Sequence, residues 1–195
     1  MTITPPAIPC YTMDWYLHSL VNYHIDMLVN RYSRLYISRI DLYYRKGSYR
    51  YQNSSPQSIG AEVRLLMAAV MELPAVVGYF CVMEWTLEHG FHVHAVLWLD
   101  GHLTQKPYAS TEKANALWLG ITQGQGVLYR CEKKESYLAD IRTPVSYNAP
   151  ASIDNIRYIL SYLAKTEQKD GISWHLSNEV PVRPTVGRPR QSKGE

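Results

Sequence analysis

Two imidazoles one residue apart, His92 and His94, sit in "GFHVHAVLWLDG" (residues 90–101), a run that otherwise reads as a buried strand. In a strand, alternate residues point to the same face. Phe91, Val93, Ala95, Leu97 and Leu99 are all apolar and define the core face, so His92 and His94 share the other face, where two neutral nitrogens can hold one divalent ion. The preceding segment, "AVVGYFCVMEWTL" (75–87), offers a carboxylate. A hairpin pairing residue 84 with residue 92 sets Cys81, Met83 and Trp85 beside the apolar set and Glu84 beside the histidines. A slip of one residue would carry Glu84 into the core, so the alternation itself selects the register. Gly90 suits the bulge such a hairpin needs. The expected product is a Glu–His–His cluster able to hold Mg²⁺ or Mn²⁺, with phosphate oxygens completing the shell, or Zn²⁺. His89, in the turn, and His102, past Gly101, read as exposed loop residues, with His89 near enough to serve as a spare ligand.

A second constellation lies on "SIDNIRYILSYLAKTEQKDG" (152–171), which reads as a helix with a glycine stop. At about 100° per residue, Ile153, Ile156, Leu160 and Leu163 form one stripe, the core face. Tyr158, Tyr162 and Lys165 gather roughly 140° away by the same turn angle. Their spacings of four and three residues make them surface neighbours. A phenol, with a pKa near 10, is a poor nucleophile at neutral pH. A nearby ammonium favours the phenolate, and a metal on a phosphate makes the better electrophile. Tyrosine transesterification of a phosphodiester needs these parts. The plainer alternative is an amphipathic helix with solvated tyrosines and a solvated lysine.

The elements that must position these groups follow from pattern. Residues 14–35 read as a long amphipathic helix capped by Asp14, and "LYISRIDLYYRKG" (35–47) as a strand ending in a turn glycine. Residues 58–73 read as a helix stopped by Pro74, 75–87 and 91–101 as hairpin strands, and 110–120 as a helix ending at a glycine. Within 126–141 a strand is expected in the first half. The order α-β-α-β-β-α-β-α predicts an α+β domain, with an antiparallel sheet of about five strands and helices packed on it. Expected divisions are an N-terminal arm and helix over 1–34, the main domain over 35–172, and a basic, Pro/Gly-rich mobile tail over 173–195.

The chain has 195 residues, 46% hydrophobic and 19% charged, which suits a globular fold and not a disordered one. No apolar run approaches membrane-span length, and "MTITPPAIPC" lacks the pattern of a signal peptide. Cys10, Cys81 and Cys131 are odd in number and far apart, which argues against a disulfide framework or zinc knuckle and makes a reducing cytoplasm the expected setting. The net charge of +3 does not by itself require a nucleic-acid partner. Its distribution says more: Arg31, Arg34, Arg39, Arg45, Lys46 and Arg50 face one acid, Asp41, in that stretch. Sixteen tyrosines against two phenylalanines favour half-wet surfaces and base stacking, although packing is their commonest use.

Taken together, "HVH", Glu84 eight residues before it and "YLAK" as a Tyr-x-x-Lys element resemble the three parts of HUH endonucleases, the rolling-circle replication initiators and relaxases. "YILSYLAK" resembles the two-tyrosine form of some phage initiators, with Ser161 standing where a further lysine is often seen. The order "RIDLYYRKG", "GFHVHAVLWLDG", "RYILSYLAKTEQ", spanning about residues 35–170, is similar to replication proteins of filamentous phages and prophage elements. The resemblance implies an antiparallel sheet with HxH on a central strand, a divalent metal, and single-stranded DNA or an origin hairpin as substrate. His92, His94 and Glu84 would hold the metal, Tyr162 would attack, Lys165 would stabilise charge, and Tyr158 would be a second nucleophile. Arg39, Asp41, Arg45 and Lys46 are candidate DNA contacts, with Arg39 and Asp41 alternatively supporting the metal ligands from behind. No GxxxxGK[ST] motor motif is present, so unwinding would fall to a host helicase.

Two other function classes fit parts of the pattern. A catalytically silent nucleic-acid-binding regulator would use the basic stretch and tail without the chemistry. An unrelated hydrolase or iron oxygenase would use two histidines and a carboxylate, but has no need of the Tyr–Lys pair.

Overall fold

The computed structural model describes residues 11–132, 140–169 and 171–185. The chain is α+β: helix α1 (Trp15–Arg31), strand β1 (Arg34–Tyr44), a short helix α2 (Tyr49–Gln52), α3 (Pro56–Met71), β2 (Val76–Thr86), β3 (Gly90–Asp100), α4 (Pro107–Ile121), β4 (Gly126–Arg130), β5 (Val145–Ser146), α5 (Pro150–Ser161) and β6 (His175–Ser177). Local chemistry sets the helix starts. Asp14 Oδ1 accepts from Leu17 N at 2.9 Å, and Ser55 and Ser58 form a reciprocal capping box ahead of α3. Pro56 and Pro107 occupy first-turn positions of α3 and α4, where a missing N–H costs nothing, so both helices begin earlier than expected.

The sheet is antiparallel, with six strands in the order β4-β1-β3-β2-β6 and β5 on β1. HxH thus lies on the middle strand. The β2–β3 register pairs Glu84 with His92, Met83 with Val93, Cys81 with Ala95 and Trp85 with Phe91, as the alternation requires. Gly90 closes the hairpin at φ +65°, without a bulge there; the irregularity lies at the far end, between Val76 and Gly78.

The sheet is covered on both faces, where alternation suggested one core face. Ile40, Leu42, Met83, Val93, Ala95 and Leu97 pack against Ile59, Val63, Leu66 and Met67 of α3 and Trp118 of α4. On the other face, Ile37, Phe80, Val82, Val96 and Trp98 pack against Val21, Ile25 and Leu28 of α1 and Ile156 and Leu160 of α5. The face that carries the histidines is therefore apolar core along half its length. Helix α1 supplies much of that core.

Part of the expected tail is structural. His175–Ser177 pairs with Phe80–Val82, Val180 is buried, and Asn178 Oδ1 accepts from Tyr79 N at 2.8 Å. The remainder, 186–195, lies outside the described residues, as do 133–139 of the segment 126–141. The helix expected over 152–171 ends at Ser161; a 3₁₀ turn covers Tyr162–Ala164, and Lys165 is extended. The physical reason is competition from the N-terminal segment. Asp14 N donates to Ala164 O and Thr166 N to Thr12 O, with Met13 bridging Lys165, and these bonds pull the chain out of the helix. None of the described helices is long and apolar enough to cross a membrane.

Candidate functional site

The hairpin register brings Glu84, His92 and His94 onto one face, where their ligand atoms lie within 4.8 Å of one another. All three are buried, with Glu84 at 0% exposure. Each imidazole has one nitrogen committed to an oxygen. His94 Nδ1 is 2.5 Å from Asp41 Oδ1, and His92 Nδ1 is 3.0 Å from the carbonyl of Gly90. That arrangement fixes ring orientation and leaves Nε2 of both rings as the ligand atom, the usual support of a metal-binding histidine. The rings stand 5.0 Å apart and nearly perpendicular. Two imidazole nitrogens and one carboxylate suit a divalent ion with bonds of about 2.0–2.2 Å, reached by small side-chain adjustments. The group Glu84–His92–His94 could hold a metal ion.

Positive charge is already drawn to this place. Glu84 Oε2 lies 2.9 Å from Lys165 Nζ and 3.2 Å from His94 Nε2, while Oε1 takes Lys169 Nζ at 2.8 Å. Burial pushes the Glu84 carboxyl up, but the hydrogen bond and charge of His94, with Lys169, outweigh it and hold the group at about 2. Asp41 is likewise below its ordinary value, since His94 and Arg39 outweigh burial. His94 is raised: burial lowers it, and the two carboxylates on either side more than compensate. His92 has only a backbone carbonyl, and burial leaves it lowered and neutral. Two ammoniums meet Glu84, and His94 lies between Glu84 and Asp41, which fits a site built around cationic charge.

The tyrosine element closes over the cluster. Tyr162 and Lys165 are the ends of the 3₁₀ turn, where residues three apart eclipse, and Lys165 Nζ donates to the Tyr162 hydroxyl at 2.6 Å. The Tyr162 ring is 5.5 Å from the His94 ring, and Arg39 lies over it at 4.7 Å. Burial raises the phenol, which Lys165 opposes without overcoming, so Tyr162 rests protonated. Lys165 is raised, because its bonds to Tyr162 and Glu84 outweigh burial. It is therefore a standing charge, not a base.

Of the sequence-identified residues, Glu84, His92, His94, Tyr162, Lys165, Asp41 and Arg39 converge. Asp41 reaches His94, and Arg39 reaches the nucleophile candidate. Tyr158 makes no side-chain hydrogen bond or ring contact with the cluster among the described residues. Arg45 and Lys46 are exposed in the turn after β1, and His89 meets Tyr43 and His92 only through its ring. Sequence reasoning missed Lys169, although its spacing of four residues from Lys165 and seven from Tyr162 would set it on the same stripe of the helix expected over 152–171. It also missed Tyr11, whose ring sits edge-on to Tyr162 at 5.5 Å. Comparison with known proteins finds no family model, no curated protein and no solved structure that matches this chain.

Proposed function

We propose that the protein is a metal-dependent single-strand DNA endonuclease and strand transferase of the HUH type, which nicks an origin to initiate rolling-circle replication. The observation that carries this reading is the meeting of Tyr162, Lys165 and Glu84 through one ammonium: Lys165 Nζ is 2.6 Å from the phenol oxygen and 2.9 Å from the carboxylate. A phenol poised against an imidazole–carboxylate group has no role in an ordinary core.

In the proposed reaction the Tyr162 oxygen bonds to phosphorus and the bond from phosphorus to the 3′ oxygen breaks. The phenol proton leaves to water and the departing 3′ oxygen takes one up. The products are a 5′-phosphotyrosine and a free 3′ hydroxyl that primes synthesis. A divalent ion, Mg²⁺ or Mn²⁺, would polarise the phosphate. Lys165 stabilises charge on the phenol oxygen, Asp41 and the Gly90 carbonyl keep the imidazoles in register, and Arg39 holds the Tyr162 ring. With a metal ion held by Glu84, Lys165 would give up its contact with that carboxylate and Lys169 would remain to balance it.

Saturation of Glu84 by two ammoniums favours a second reading, a catalytically silent nucleic-acid-binding regulator on the same fold. Incubation with single-stranded origin DNA and Mn²⁺ separates the two. The nuclease gives a protein–DNA adduct that survives denaturing electrophoresis and is lost with chelator or in Tyr162→Phe. The regulator binds DNA and gives none.

A further inference from the structure

Strand β1 carries β4 along Ile40–Tyr44 and β5 along Arg34–Leu35, both on the edge away from β3. Between those partners, residues 36–38 meet no strand on that edge among the described residues, and beyond them the Arg39 carbonyl accepts from Cys131 N at 2.9 Å. The gap opens into a cleft of about 540 Å³, within the range of about 300–1,000 Å³ that takes small organic groups. Among the described residues its walls include Tyr36, Tyr108, Arg39, Lys106, Arg130 and Arg142, with one acid, Glu132. Glu132 pairs with Arg130, and Arg142 pairs with Asp140. The Arg130 guanidinium lies over the Tyr108 ring at 4.5 Å, and Tyr108 is 54% exposed.

Planar rings and guanidinium planes stack on nucleobases of any sequence, and the surrounding cations meet phosphates. An acidic peptide would use the cations but would bring no planar group to the exposed part of the Tyr108 ring. The cleft also adjoins the chemistry, because Arg39 lines it and lies over the Tyr162 ring. We propose that this break in the sheet edge is a subsite for one unpaired nucleotide of the DNA strand, its base stacked on Tyr108 and its phosphate met by Lys106 and Arg130. The proposal rests on the single-strand nuclease reading and adds where the strand runs from the scissile phosphate.

The test uses the full chain carrying Tyr162→Phe, so that binding is read without cleavage. A fluorescent single-stranded oligonucleotide gives affinity by anisotropy, and 2-aminopurine moved along it reports stacking. Tyr108→Ala should weaken binding roughly tenfold, the scale of one lost base stack, and abolish quenching at one probe position. Arg130→Ala should weaken binding too, with a shallower salt dependence. Tyr108 is an exposed side chain, so its loss leaves the fold intact, which far-UV circular dichroism checks. Affinity and quenching indistinguishable from the parent in Tyr108→Ala, or no binding by the parent, overturn the subsite. If these variants lose binding but the unmodified protein forms no adduct, the subsite stands and the nuclease reading falls. If adduct forms and Tyr108→Ala binds normally, the nuclease stands and the subsite falls.

Discussion

The face of β2 and β3 that carries the histidines has two unlike halves. At one end Phe80, Val82, Val96 and Trp98 lie under α1 and α5, an apolar contact of the ordinary kind. At the other, on the same strands, Glu84, His92 and His94 are equally buried but meet two lysines, a tyrosine and an aspartate. Leu160, Leu163 and Ala164 belong to the apolar end, while Tyr162 and Lys165, from the same stretch of chain, belong to the other. Each apolar side chain buried at the first end contributes about 1.5–3 kcal/mol. The ionic end contributes little net stability, because desolvation offsets most of the pairing. That small net contribution to the fold supports the proposed reading of the cluster as a site.

The contrast can be broken from either side. Glu84→Ala should have the largest effect on stability, about 3–5 kcal/mol, since it strands buried positive charge beside Lys165, Lys169 and His94. Glu84→Gln, which keeps the hydrogen-bonding oxygen, should cost less, and urea unfolding measures both. Leu160→Ala, at the apolar end, should cost about 3 kcal/mol as a cavity. It should leave Mn²⁺ binding, read by calorimetry, unchanged, whereas Glu84→Ala removes it. A loss of metal affinity in Leu160→Ala would show that the two halves are not separable.

A smaller effect is pH-dependent and belongs to the apolar end. His24 is buried against Phe80, and burial lowers its pKa from 6.5 to about 4, with Asn178 partly opposing. The folded state therefore binds the proton less well than the unfolded chain. This contribution is complete above pH 6.5 and is lost as pH falls towards 4, amounting to about 2 kcal/mol between pH 7 and pH 5. His24→Gln should flatten that part of the stability profile. An unchanged slope would mean that His24 does not carry it.

How much was legible in the sequence follows the range of the interactions. Glu84, His92 and His94 were readable because a period of two and a hydrophobic alternation fix a hairpin register. Tyr162 and Lys165 were readable from spacing, although the turn that joins them is tighter than the helix expected. Lys169 shares the helical spacing of Lys165 and was overlooked, whereas Tyr11 was not readable, because it reaches the cluster through the pairing of Met13 with Lys165, a contact across most of the chain that no local pattern encodes. The edge strand β6 was hidden for a similar reason: three residues just ahead of a basic, proline-rich stretch are too few to show an alternation. The second core was missed because a strand buried on both faces loses its polar side everywhere except at the site.

The central claim is that the imidazole–carboxylate group and the Tyr162 phenol serve one phosphorus atom. Its most direct measurement is peptide mapping by mass spectrometry of the adduct formed with single-stranded DNA and Mn²⁺. A 5′-phosphorylated nucleotide is expected on Tyr162 itself, distinguished from Tyr158 by fragmentation of the peptide that carries both, and absent when either His92 or His94 is replaced by alanine. A nucleotide found on Tyr158 or Tyr11 instead, or an adduct indifferent to the histidines, would contradict it.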